Sequence, residues 1–259
     1  MNANRRSSLN RFCLVAAALV SMIVLSCAPF LMGPHVTVLR DQTVQVDGVT
    51  RKYRLVIPDS LPTEGNVPLL FALHGAGGSG EGLARSTGLD HLAFANQFFV
   101  VYPEGRHSSW PPFIPPENPD YIEPDLRLFD VLCDELIGRY NIDKRRVYVT
   151  GMSQGAAFVN LLVAKRSNKI AAAAPHSGWL PNPLPDEGIA AVRECPMLLI
   201  AGTEDTQVPP EVVRKAAECF AKEGHPVELL LIHGLGHRWA SEQNINATIW
   251  EFLSSHQLP

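Results

Sequence analysis

Cysteine is scarce in this chain, and no spacing among its cysteines resembles a metal site. Of five cysteines, two (Cys13 and Cys27) fall in the first 27 residues, which leaves Cys133, Cys195 and Cys219. An odd number leaves at least one of those thiols unpaired within a monomer. Cys195 and Cys219 flank a strand-loop-helix unit and could pair. Cys133 falls in the apolar pattern of a helix, where a thiol packs as a small hydrophobe. An excess of basic charge is missing too: 22 Lys and Arg stand against 26 Asp and Glu, a net charge of -4. With no basic patch, nucleic acid is not an expected partner. The chain shows neither an internal repeat nor a low-complexity tract. The glycine cluster Gly75-Ala76-Gly77-Gly78-Ser79-Gly80 lacks both the Gly-Lys-Ser/Thr ending of a phosphate loop and the G-x-G-x-x-G spacing of a dinucleotide site. Neither a metal nor a cofactor is expected.

What is present is apolar mass. At 259 residues and 46% hydrophobic, the chain suits one large α/β domain with a sizeable core. The first 26 residues read as an export signal: Arg5, Arg6 and Arg11 make a positive start, and Phe12 to Ser26 is an uncharged apolar stretch closed by small residues. Val24-Leu25-Ser26-Cys27 is similar to a bacterial lipoprotein signal, which would place a lipid on Cys27. Leu25 stands where a small residue is usual. Ordinary cleavage nearby and an uncleaved anchor remain rivals, because the apolar run continues to Met32. An exported protein, periplasmic or extracellular, is the expectation, with attachment to a membrane through its N-terminus left as one of the alternatives. Residues 27–44 are assigned to a linker and first strand region, and 45–259 to the main domain.

Along that domain, edge-type strands are expected at 36–39, 43–46 and 52–57. Pro68-Leu69-Leu70-Phe71-Ala72-Leu73 is a continuous apolar run, as a strand buried on both faces requires. Further strands are expected at 98–102, 146–150, 170–174, 197–201 and 227–232. Helices are expected at 83–96, 125–140, 156–163, 210–223 and 244–254. Residues 103–124 are rich in proline and read as a long loop. Strands alternating with helices predict a mostly parallel sheet covered on both faces, with ligands at the C-terminal strand ends.

One pentapeptide carries chemistry. Gly151-Met152-Ser153-Gln154-Gly155 sits between the strand Arg146-Val147-Tyr148-Val149-Thr150 and an apolar helix. Strand, G-x-S-x-G, helix is the setting of a nucleophile elbow, a turn so tight that the flanking glycines must lack a Cβ. A serine hydroxyl needs a base, and the base needs an orienting acid. Asp205, in the loop after 197–201, is the expected acid; the adjoining Glu204 is its rival. His237, in Gly234-Leu235-Gly236-His237-Arg238-Trp239, is the expected base, with His233 as rival. His225 and His256 are expected to face solvent, and His176 to pack or to line the pocket. Two backbone N–H donors are needed for an oxyanion. Gln154 is expected to supply one and Ala76 the other, with Gly75 as second choice and His74 as a brace for the turn. Trp110 and Trp179 are candidate substrate contacts.

These motifs together resemble the secreted polyhydroxybutyrate depolymerase and feruloyl esterase group of α/β-hydrolases. The resemblance is carried by His74-Gly75-Ala76-Gly77-Gly78-Ser79, Val101-Tyr102-Pro103-Glu104-Gly105, Tyr140 to Gly151, Gly202-Thr203-Glu204-Asp205 and Gly236-His237-Arg238-Trp239. It implies an α/β-hydrolase fold and a serine esterase with Ser153 as nucleophile, Asp205 as acid and His237 as base. It implies no cofactor. Ala76 stands where the family often has cysteine, Ala156 where a second glycine is usual, and Arg238 where threonine is frequent. A serine peptidase, a transacylase, and a catalytically silent membrane-tethered binding protein are the alternatives. The ester's acyl and alcohol parts and the oligomeric state are left open.

Overall fold

A computed structural model describes residues 36–59, 61, 67–111, 121–181, 184 and 188–259. The expected export signal, Cys27 and residues 112–120 of the proline-rich loop lie outside the described residues. The described residues fall in one compact unit, Val36–Pro259.

Eight strands form one sheet: β1 (Val36–Val46), β2 (Val49–Pro58), β3 (Val67–Leu73), β4 (Phe99–Pro103), β5 (Ile142–Met152), β6 (Ala172–His176), β7 (Met197–Gly202) and β8 (Val227–Ile232). Their order across the sheet is β1-β2-β4-β3-β5-β6-β7-β8. The ladders β1·β2 and β2·β4 are antiparallel, and every ladder from β4 to β8 is parallel. The helices are α1 (Gly80–Thr87), α2 (Leu89–Asn96), α3 (Glu123–Arg139), α4 (Gln154–Arg166), α5 (Pro210–Lys222) and α6 (Ile245–Ser254).

Successive side chains of a strand face opposite ways, and β3 shows the consequence. Leu69, Phe71 and Leu73 enter the core shared with α3, α4 and α5; Leu70 and Ala72 enter the core shared with α1, α2 and α6. Every residue of β3 is buried, which explains its unbroken apolar sequence. Helix α4 is buried from Gln154 to Ala164, all but its last two residues, and so carries no polar stripe.

Three local expectations change. The two edge strands expected at 36–39 and 43–46 are one strand, interrupted only by a register shift between Leu39 and Gln42, where Asp41 has φ 50°. Residues 36–44, assigned by sequence to the linker and first strand region, pair with β2 within the sheet. The single helix expected at 83–96 is two, because Gly88 adopts φ 67° and ends α1 with its N–H on the Ala84 carbonyl. Cys195 and Cys219 do not pair; Cys133, Cys195 and Cys219 are all free thiols.

Because β3, β5, β6, β7 and β8 run parallel, the connections leaving their C-terminal ends share one edge of the sheet. The G-x-S-x-G turn, the glycine turn after β3, and the loops carrying Asp205 and His237 all leave from that edge.

Candidate active site

Ser153 joins β5 to α4 with φ 58° and ψ -120°, outside the regions that side chains ordinarily occupy. The strain persists because its surroundings leave no alternative. Its N–H donates to the His176 carbonyl at 3.0 Å, and its own carbonyl accepts from Ala157 N–H at 3.0 Å. The glycines are required by contact. A Cβ on Gly151 would stand 2.7 Å from the Gly155 carbonyl carbon, and one on Gly155 would collide with the Leu73 carbonyl.

The loops after β7 and β8 continue the ladder that their strands began. Thr203 N–H donates to Ile232 O at 3.0 Å, Glu204 N–H to Leu235 O at 3.0 Å, and Gly234 N–H to Thr203 Oγ1 at 3.0 Å. A Cβ on Gly202 would strike the Leu235 backbone, so only glycine permits this approach. The effect is to bring Asp205 against His237. His237 Nδ1–H donates to Asp205 Oδ2 at 2.7 Å, and Ser153 Oγ–H donates to His237 Nε2 at 2.9 Å. The carboxylate fixes the ring proton on Nδ1 and leaves Nε2 free to accept.

Asp205 is buried, and burial alone would push its carboxyl upward. The Val208 N–H, His237 and the Ser177 hydroxyl outweigh that effect, and the net displacement is downward. Its Oδ1 accepts from Gln207 N–H at 3.0 Å and Val208 N–H at 2.8 Å. The group is held as a carboxylate. Glu204 and His233, the rivals, are exposed and take no part in this chain of bonds.

The expected oxyanion donors lie on either side of the serine. Gln154 N–H opens α4. Gly75 packs against the serine so closely that a Cβ on it would lie 3.4 Å from Ser153 Cβ. His74 braces the turn, as expected. Its Nε2 accepts from Gly105 N–H at 3.0 Å, so the proton sits on Nδ1 and donates to Gly75 O at 2.7 Å. Burial lowers the pKa of His74, which keeps the ring neutral. Gly75 O also accepts from Gly78 N–H at 3.1 Å, whereas Ala76 N–H has no backbone partner among the described residues.

The expectations for Trp110, His225 and His256 are corrected. Trp110 is buried, stacks on Phe158 at 4.9 Å, and donates from Nε1 to His74 O at 2.8 Å; its ring is core rather than substrate surface. Trp179 is partly buried against the same core. His225 does not face solvent: it is buried on Phe220, and its Nδ1 accepts from Cys195 N–H at 3.0 Å. His256 is half-buried against Phe252. His176 packs, fully buried and stacked on Trp239 at 5.1 Å. Burial takes its pKa down to about 4. Ser177, Ser109 and the Gln154 side chain were not singled out by sequence, because Ser177 is bonded to Ile200 and Ser109 to Gln154, partners 23 and 45 residues away.

The model of a family described as Phospholipase/Carboxylesterase matches residues 62–257. Among curated relatives, the bifunctional acetylxylan esterase/xylanase XynS20E of Neocallimastix patriciarum is 33% identical over 162 residues, which are 61% of this chain and 22% of that one. Poly(3-hydroxyalkanoate) depolymerase C of Paucimonas lemoignei is 30% identical over 129 residues, 47% of this chain and 30% of the relative. The chain thus spans less than a third of either relative's length. A solved ferulic acid esterase from Anaeromyces mucronatus superposes with TM-score 0.65 at 18% identity, covering 88% of this chain and 92% of that one. The fold shared with that structure is the one that the sequence motifs implied.

Proposed function

We propose, from the premise that this chain belongs to the Phospholipase/Carboxylesterase family of α/β-hydrolases, that it hydrolyses carboxylic esters through Ser153, His237 and Asp205. One observation carries the reading: an unbroken hydrogen-bond chain runs from Ser153 Oγ through His237 to a buried, ionised Asp205.

Ser153 Oγ attacks the ester carbonyl carbon as its proton passes to His237 Nε2. The negative charge that develops on the carbonyl oxygen meets the N–H groups of Gln154 and Ala76. Protonated His237 is stabilised by Asp205, which does not itself take the proton. The imidazolium then gives its proton to the departing alcohol, leaving an acyl-serine. Water deprotonated by His237 attacks that acyl group, and collapse releases the carboxylic acid and restores Ser153. The strained elbow supports this role by holding the hydroxyl above the sheet edge, where a flat ester can approach.

The relatives' names point to acetyl-sugar, feruloyl and hydroxyalkanoate esters as the substrates to test first. Ser153→Ala is expected to abolish both ester turnover and labelling by a fluorophosphonate probe, with the fold unchanged by circular dichroism. Turnover that survives in Ser153→Ala would refute the assignment. Export and N-terminal lipidation rest on the Arg5–Cys27 pattern alone. Radiolabelled palmitate incorporated by the wild type and lost in Cys27→Ser supports lipidation; no incorporation in either refutes it.

A further inference from the structure

We infer that the side-chain amide of Gln154, through the turn 104–110 that it grips, sets the spacing of the two oxyanion donors. The inference rests on the esterase reading above. Gln154 would then act twice, its main-chain N–H facing the oxyanion and its side chain fixing where the other donor stands.

The two donors belong to different elements. Gln154 N–H opens the helix after β5, and Ala76 N–H lies in the turn after β3. The β3·β5 ladder ends at Leu73 and Gly151, so strand pairing does not reach either donor. The turn 104–110 spans the gap. On one side it is bonded to Gln154, which is fully buried. Gln154 Oε1 accepts from Trp110 N–H at 3.1 Å, and Nε2 donates to Trp110 O at 3.0 Å. The side-chain amide thus pairs with Trp110 as a neighbouring strand would. Nε2 also donates to Ser109 Oγ at 2.8 Å. On its other side the turn holds the glycine turn at three points: Trp110 Nε1–H on His74 O, Gly105 N–H on His74 Nε2, and Ser108 O receiving Gly77 N–H at 2.8 Å.

The turn is also strained. His107 and Ser108 are consecutive non-glycine residues at φ 51° and 57°. Such residues cost energy and persist only where the surroundings over-determine them. Here the surroundings are Gln154 within and a buried ion pair without. Arg51 donates to Glu104 O at 2.9 Å and pairs with Asp125 at 2.7 Å, which also holds Arg106 at 3.2 Å. Anchored at both ends, the turn transmits the position of Gln154 to Gly77, and so to Ala76 beside it. This makes Gln154 a positioning residue through its side chain.

The test compares wild type with Gln154→Met, which keeps length and apolar volume but removes the amide, and with Trp110→Phe, which keeps the stack on Phe158 but removes the Nε1–H donor. For each, kcat and KM are measured on p-nitrophenyl acetate, and affinity is measured for a trifluoromethyl ketone that forms an oxyanion at Ser153. Losing an oxyanion donor outright costs on the order of a hundredfold or more. A displaced donor is expected to cost about tenfold to a hundredfold in kcat. KM stays close to wild type, and ketone affinity falls by the same factor as kcat/KM. Folded variants with unchanged kcat, or with a loss confined to KM, overturn the inference. If Gln154→Met fails to fold, Trp110→Phe decides by the same criteria. Wild-type protein that turns over no ester and takes no fluorophosphonate label overturns the esterase reading itself, which separates the two failures.

Discussion

At residue scale, two adjacent carboxylates have opposite surroundings. Asp205 is buried and accepts from Gln207, Val208 and His237, whereas Glu204 is exposed. Asp205→Asn keeps the shape but reverses the preferred ring tautomer of His237. It is expected to reduce kcat by about ten-thousandfold, while Glu204→Gln stays near wild type on the same ester assay. The preference for Asp205 was legible in sequence because loop length and the order serine, acid, histidine both constrain it. His225 was not legible: its partner is the backbone of Cys195, 30 residues away, and no local pattern announces such a bond. His176 supplies a pH prediction. Burial holds its folded pKa near 4 against 6.5 for the free ring, and Asp205 and His237 lie close by. The unfolded chain therefore binds more protons between those values. Stability is intact above pH 6.5 and drains as pH falls toward 4, by ~3 kcal/mol from this residue. Urea midpoints at pH 7 and pH 4 should differ less in His176→Gln than in wild type. An equal difference in both proteins would refute the assignment.

At the scale of elements, turns decide what apolar periodicity cannot. The pattern from Leu83 to Asn96 reads as one helix because a single glycine leaves it uninterrupted. The structure divides it at Gly88, whose φ of 67° lets α1 close and α2 start on a new axis. Asn246 Nδ2 donates to the Thr87 carbonyl at this junction, which ties the break to α6. A Cβ at Gly88 would meet nothing closer than 3.9 Å, so backbone strain is the sole penalty of substitution. Gly88→Ala is expected to cost about 1–2 kcal/mol, with ester turnover unchanged. Differential scanning calorimetry would read this as a drop of a few degrees in Tm. An unaltered Tm would mean that the helices tolerate fusion. The turn 104–110 teaches the same lesson. The prolines and aromatics of residues 103–124 marked that whole stretch as irregular, but the bonds that make its first part a clamp run to His74, Gly77 and Gln154 and leave no trace in its own residues.

For the whole molecule, the sheet does the work that cross-links do in small disulfide-rich proteins. The alternation Leu69, Phe71, Leu73 against Leu70, Ala72 separates two cores, and both are closed by helices. This architecture was readable in outline because unbroken apolar runs mark strands buried on both faces. Strand order was not readable, since it depends on pairings such as β2 with β4 that skip an element. Chains of this size bury enough surface on folding to dispense with disulfides. Cys133 and Cys195 accordingly sit in the core as thiols, each with its pKa pushed up to about 12 by burial, and among the described residues only Cys219 is a cysteine partly open to solvent. A thiol at that pKa is almost wholly protonated at neutral pH and reacts slowly. Brief iodoacetamide treatment of native protein, followed by peptide mapping, should modify Cys219 and spare Cys133 and Cys195 until denaturant is added. Reductant should leave the urea midpoint unchanged. A peptide containing Cys195 linked to Cys219, or a midpoint that falls on reduction, would show that this core needs a covalent tie.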